Sequence, residues 1–410
     1  MSSRNMIERV VGNVRQENGF DDSAVRKRGI RRVTFDSSNH VSVLFQVYGS
    51  VWPHVLPYCL ANVLITYGVA YLKKNGIDVT IASNGHTFMS VLVSFLIVAR
   101  TQITYARFME ARGYLQDTYR SCRDLIHTCS LLTCHDMCDG AKQWRQDVAY
   151  RTILLLRITM AALEFQSRSV NAMDFVDGSN KYINTEEESR SESKKRLKDW
   201  THGKRDLSDE NFRAPIVLAY NLRSEIMKQR QGGFLDKKRK DTKTYMHVNE
   251  ELKVLGMVSD YVAAFHGLKK LITTPFPFPL VQMARTFLFF WVFTIPFAIV
   301  GDISEPIEAM IINFFITYGF IGLEYVSMEL DDPYGDDPND FDNVGMAQMV
   351  FEDIYITIYK TDGTESADTL RSRVWDRCNR INAFQRDLDD DLNSSLKVIS
   401  ASTIANLENV

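Results

Sequence analysis

The sequence predicts an all-α membrane protein with four transmembrane helices and a helical region on one side of the bilayer. Three observations predict it. Four segments are long and apolar enough to cross a hydrocarbon core about 30 Å thick. The long stretch between the second and third of them carries apolar residues at helical spacing. Lys and Arg are distributed unevenly among the connecting segments. The mean hydropathy of −0.18 conceals the spans, because polar stretches dilute them.

The N-terminal arm, residues 1–50, is polar and includes Arg26, Lys27, Arg28, Arg31 and Arg32. It has no apolar signal-peptide core, and Glu8, Glu17, Asp21 and Asp22 make it a poor transit peptide. Any targeting segment is expected to precede this numbering. The first span is Val51–Leu72 and the second Phe88–Tyr105, within a unit covering residues 51–112. The second span turns strongly charged after Ala99, which makes it a membrane helix with an extension outside the bilayer.

Residues 113–274 form the helical region. The pattern predicts amphipathic helices over Ala111–Leu132, Lys142–Gln166, Phe212–Arg230 and Tyr245–Leu271. The run Thr152–Leu163 is too short to cross a membrane and carries Arg157, so it reads as a buried helix. Residues 178–212 are nearly all charged or polar and read as a mobile insertion. Leu280–Val300 and Ile307–Val326 are the third and fourth spans. Only Gly301–Pro306 separates them, so residues 275–328 form a transmembrane hairpin. An acidic loop follows at 329–342. Residues 343–410 hold a helix over Val344–Lys360 and then a polar tail. The basic arm and the Lys/Arg-free hairpin link put both termini and the long middle region on the cytosol-like side.

Composition excludes several functions. With 410 residues, a formal net charge of −3 and a pI near 6.3, nothing suggests a nucleic-acid partner. The chain has no nucleophile elbow, phosphate loop, HExxH or dinucleotide fingerprint, so it does not read as an enzyme. Cys122, Cys129, Cys134 and Cys138 lie near His127 and His135, but no CxxC pair occurs. Thiols on a helix are a better reading than zinc.

Four constellations remain. Val91, Phe95 and Ala99 share one helical face of the second span. In an oligomer that face would ring a hydrophobic constriction, which gates by excluding water; ordinary helix packing gives the same pattern. Arg285 sits just inside the third span, and an intramembrane charge serves function or snorkels to the interface. Pro275, Pro277 and Pro279 break the helix before the third span and leave carbonyls without helical partners. Seven of the fourteen residues from Glu329 to Asp342 are acidic, around Pro333, Gly335 and Pro338. Such a loop is either a hard-cation site or a solvated turn.

Together these features resemble the bestrophin family of pentameric anion channels, which includes plant thylakoid and bacterial members. Phe95–Arg112 resembles the end of the family's neck helix. Thr274–Val281 is similar to the proline-rich lead into its third span, and Leu330–Asp342 to the acidic cluster of its animal members. Val33–Trp52 resembles the arm before its first span. The resemblance implies a homopentamer around a central pore in a lipid bilayer, with chloride as permeant ion and nitrate or bicarbonate as further inorganic anions. Val91, Phe95 and Ala99 would line the neck, where Ala99 stands in place of the family's usual large residue. Arg100 and Pro277 belong to the matching blocks. A second narrow point would fall near Val248–Leu252.

The same resemblance implies a Ca²⁺ clasp, with Asp337 and Asp340 giving side-chain oxygens and Glu329, Asp332 and an arm residue near Val33 giving carbonyls. Pro338 and Asn339 depart from the animal pattern. The clasp is therefore expected to stabilise more than to gate. The implied location is an integral, multi-pass one: a thylakoid membrane in a photosynthetic organism, otherwise a plasma membrane. A cation channel on the same fold, and a non-conducting scaffold or regulator of another transporter, are the alternatives.

Overall fold

The computed structural model describes residues 39–164, 212–232, 246–303, 305–334, 339–341 and 343–374. Every element among them is a helix: α1 (His40–Phe45), α2 (Trp52–Lys74), α3 (Ser83–Leu132), α4 (Asp139–Glu164), α5 (Ala214–Gly232), α6 (Val248–Thr273), α7 (Phe278–Asp302), α8 (Pro306–Asp331) and α9 (Asn343–Asp362). The insertion expected at 178–212 lies outside the described residues, except that Phe212 is buried just before α5.

Four of these helices, α2, α3, α7 and α8, are long and apolar enough to cross a membrane. The second span and the helix expected from Ala111 are one element of 50 residues, about 75 Å long. Ala106–Glu110 joins them, and none of those five residues breaks a helix.

The chain divides into two compact units, the first holding residues 21–116 and 264–343. Here α2 packs chiefly on α8, and α7 packs on both. Val55, Cys59, Val93, Ile97, Leu288, Val292 and Ile321 fill the core. Trp291 meets Phe320 edge-on at 4.7 Å. Lipid tails are as apolar as these side chains, so helices in a membrane are held by close packing and interhelical hydrogen bonds. Asn62 on α2 supplies the latter. Its Nδ2 donates to Thr317 Oγ1 at 2.7 Å and to the Val292 carbonyl at 3.0 Å. Asn313 Nδ2 donates to Thr66 Oγ1 at 2.7 Å. Each such bond contributes roughly 0.6–2 kcal/mol.

α2 closes through Asn75 and Gly76. The Gly76 N–H meets the Lys73 carbonyl and the Ile77 N–H the Leu72 carbonyl. Gly76 sits at φ +85°, the left-handed conformation this helix stop requires. Lys73 Nζ then donates to the Val300 carbonyl at 2.6 Å, at the end of α7.

The second unit comprises residues 117–263 and those from 344 onward, with residues 1–20 outside the described set. The run Thr152–Leu163 is buried almost all round, as a helix in the centre of a bundle should be. Burying each Leu or Ile side chain there contributes about 1.5–3 kcal/mol. Arg145 is fully buried and paired with Asp362. It also donates to the Thr133 and Asp136 carbonyls, so one guanidinium fastens α4, the end of α3 and the end of α9. Such a group is costly to leave half-paired.

The described start of the tail after Lys360 is partly buried. Gly363, at φ +89°, ends α9, and a further helix covers 364–374. Ala367, Leu370 and Val374 are buried at helical spacing. Tyr355 donates to Asp368 at 2.9 Å, and burial, with Asp368 adding to it, pushes its phenol up to about 12. Cys122 and Cys129 are buried free thiols. Burial pushes the Cys129 thiol up to about 12, which keeps it protonated and unreactive.

Candidate functional site

The membrane part of α3 has two unlike faces. Val93 and Ile97 are fully buried in the span core, and Arg100 and Thr104 continue that buried line. On the other side Val91 is 67% and Phe95 69% exposed, and Ala99 is half-buried. Of the three expected neck residues, Val91 and Phe95 therefore lie outside the core of this chain, and Ala99 lies at its edge. Ser90 and Ser94 bond to the carbonyls of Thr87 and Ser90 in the same helix, so this part of α3 offers an apolar surface.

Behind that face lies a charged cluster. Arg100 pairs with Glu324 of α8, and both side chains are buried. Arg285 Nε of α7 donates to the same Glu324 oxygen at 2.6 Å. Arg285, the intramembrane charge flagged from sequence, and Arg100 thus share one acid. Glu324 was not singled out from the sequence, although an acid inside an apolar span is itself a signal.

The carbonyls freed by the prolines find donors on α3. Pro275 lacks the N–H that would reach the Leu271 carbonyl. Arg107 Nη2 donates to it at 3.1 Å and to the Thr274 carbonyl at 2.7 Å. Pro277 is the N-cap of α7, with Pro279 in the first turn, where a missing N–H costs nothing. Close approach reinforces this joint. A Cβ on Gly267 of α6 would lie 2.5 Å from the Tyr114 ring of α3.

The acidic loop is anchored by its non-acidic residues. Tyr334 is buried and its hydroxyl donates to the Ala111 carbonyl at 3.2 Å. Burial, with the Asp332 charge adding to it, pushes that phenol well up. Phe341 packs on Phe108 at 4.5 Å, and the Arg112 guanidinium lies over its ring at 5.7 Å. Asn339 Nδ2 donates to the Gly49 carbonyl at 3.1 Å and to Glu329 Oε2 at 3.3 Å. An amide donor therefore joins the loop to the arm before the first span.

Asp340 is buried and Asp332 exposed. Asp337 and Val33 lie outside the described residues. Among the described residues no three acidic, His or Cys side chains converge into a metal-holding group. Glu329 gives one oxygen to Asn339, and the fastening seen here is built from an amide and rings.

Comparison with known proteins identifies the arrangement. A family model described as bacterial/fungal bestrophin protein matches residues 32–355. A voltage-dependent anion channel-forming protein of Synechocystis is 22% identical over 73% of this chain and 85% of its own length. One of Escherichia coli is 30% identical over 20% of this chain and 27% of its own length. A crystal structure of a point mutant of a bacterial bestrophin homologue from Klebsiella pneumoniae shares the fold, with a TM-score of 0.55 at 17% identity, covering 74% of this chain and 98% of the other. With four membrane-grade helices and a family match over most of its length, this chain is an integral membrane protein of the bestrophin family.

Proposed function

We propose that this protein is an anion-selective channel. It conducts chloride passively, with nitrate or bicarbonate as further permeant ions, through the axis of a homopentamer. The observation that carries the reading is the exposed apolar face of α3 at Val91 and Phe95, on a helix whose other face is locked to its own bundle. Five copies of that face would enclose a narrow apolar neck. Such a neck closes by dewetting, and the positive edges of Phe95 rings would favour an anion passing through. Ala99 leaves the end of the neck wider. Relatives named as voltage-dependent anion channel-forming proteins support the reading. The exposure of Val248 and Leu252 supports a second narrow point at the start of α6.

In this reading Ca²⁺ bound by Asp337 and Asp340 adds to the Asn339 fastening and does not switch the pore. Thermal unfolding with Ca²⁺ and with chelator tests this; a higher midpoint with Ca²⁺, lost in Asp337→Ala with Asp340→Ala, is expected. We favour the plasma membrane over a thylakoid, because the matching family model describes bacterial and fungal members. The test of the function is the reversal potential of the purified protein in planar bilayers under a KCl gradient, with native mass measurement of the assembly. Reversal near the chloride potential from a pentamer supports the proposal. Reversal near the potassium potential makes it a cation channel, and no current makes it a scaffold or regulator.

A further inference from the structure

Four charged residues fall within the four spans read from the sequence: Arg100, Arg285, Glu308 and Glu324. Glu308 is exposed in the first turn of α8. The other three meet. Glu324 accepts from Arg100 and from Arg285 through the same oxygen, Oε1. Among the described residues neither arginine pairs with another acid. Two guanidiniums against one carboxylate leave a formal surplus of one positive charge in this cluster.

We propose that this surplus charge, controlled by Arg285, sets the preference of the pore for anions. The inference rests on the channel reading above and gives it a charge-based selectivity element. The neck face carries no charge of its own, and an apolar ring alone distinguishes weakly between a chloride and a potassium ion. Arg100 follows Ala99 directly on α3 but lies on the buried side. The cluster therefore sits roughly one helix diameter, about 10 Å, from the surface that faces the pore. At that distance the buried Arg100 and Glu324 are little screened by salt, and the partly exposed Arg285 is screened in part. Five copies add their fields on the axis.

Arg285 is the residue to alter. Its side chain is 40% exposed, against 5% for Arg100 and 5% for Glu324. Removing it leaves Arg100 and Glu324 as a neutral pair. It lies on α7, away from the neck face of α3.

The experiment measures the chloride-to-potassium permeability ratio of full-length wild type, Arg285→Gln, Arg285→Lys and Arg285→His in planar bilayers under a KCl gradient. Arg285→Gln is expected to lower the ratio roughly threefold or more, and Arg285→Lys to keep it. Arg285→His should show a high ratio below the ordinary imidazole pKa of about 6.5 and a lower one above it, while wild type stays constant over the same range. An unchanged ratio in Arg285→Gln, or a pH-independent one in Arg285→His, overturns the inference and leaves the anion channel standing. If Arg285→Gln does not assemble, Arg285→His decides alone, since both of its readings come from one folded protein. A wild type that reverses at the potassium potential overturns the channel reading itself.

Discussion

Asn62 donates to the carbonyl of Val292 at 3.0 Å, the acceptor that Pro296 deprives of its helical partner. Proline lacks the N–H that would bond four residues back, and inside a membrane an unpaired carbonyl is expensive. The Arg107–Leu271 bond solves the same problem at Pro275. Two proline breaks in one chain are each completed by a side chain from another helix, so both prolines act as docking points between helices.

Asn62→Ala is expected to destabilise the protein by about 1–3 kcal/mol, because a buried carbonyl loses its donor. Pro296→Ala restores the helical N–H. The double variant should therefore regain part of the loss, giving a positive coupling in a thermal or denaturant double-mutant cycle. Additive effects would mean that Asn62 acts only through Asn313 and Thr317.

Gly267→Ala puts a methyl group 2.5 Å from the Tyr114 ring. Overpacking of this kind costs about 1–3 kcal/mol. The expected result is a lower unfolding midpoint, recovered when Tyr114→Ala is added. A midpoint unchanged by Gly267→Ala alone would show that α3 and α6 do not approach this closely.

Tyr334 fixes the sign of a pH effect. Its phenol is held protonated by burial, above its ordinary value. The unfolded chain therefore releases that proton first as pH rises through about 10, and the stability contributed by protonated Tyr334 is lost above that point. Tyr261 and Tyr355 shift in the same direction. Tyr334→Phe should make the alkaline fall in stability shallower while lowering stability at neutral pH by about 1 kcal/mol for the lost bond to Ala111. Equal alkaline slopes in the two proteins would contradict the burial of this hydroxyl.

Much of this was legible in the sequence, for physical reasons. The spans are visible because a bilayer demands long apolar runs. The proline break was legible as a set of orphaned carbonyls. Their donor was not, since Arg107 lies 164 residues from Leu271 and no local pattern links them. The partners of Glu324 were hidden for the same reason, since Arg100 and Arg285 lie on two other helices. The acidic loop drew attention for its charge, yet Tyr334, Asn339 and Phe341 carry its contacts to Ala111, Gly49 and Phe108. The boundary placed between Tyr105 and Ala111 reflected a change from apolar to charged surface, which is a change of surroundings along one continuous α3.

The central claim is that anions pass along the α3 face that carries Val91, Phe95 and Ala99. The most direct measurement compares wild type with Phe95→Ala in planar bilayers under a KCl gradient. Both should reverse near the chloride equilibrium potential, with the variant open more of the time because its neck is wider and wets more readily. Identical gating in the two proteins, or reversal near the potassium potential, would contradict the account.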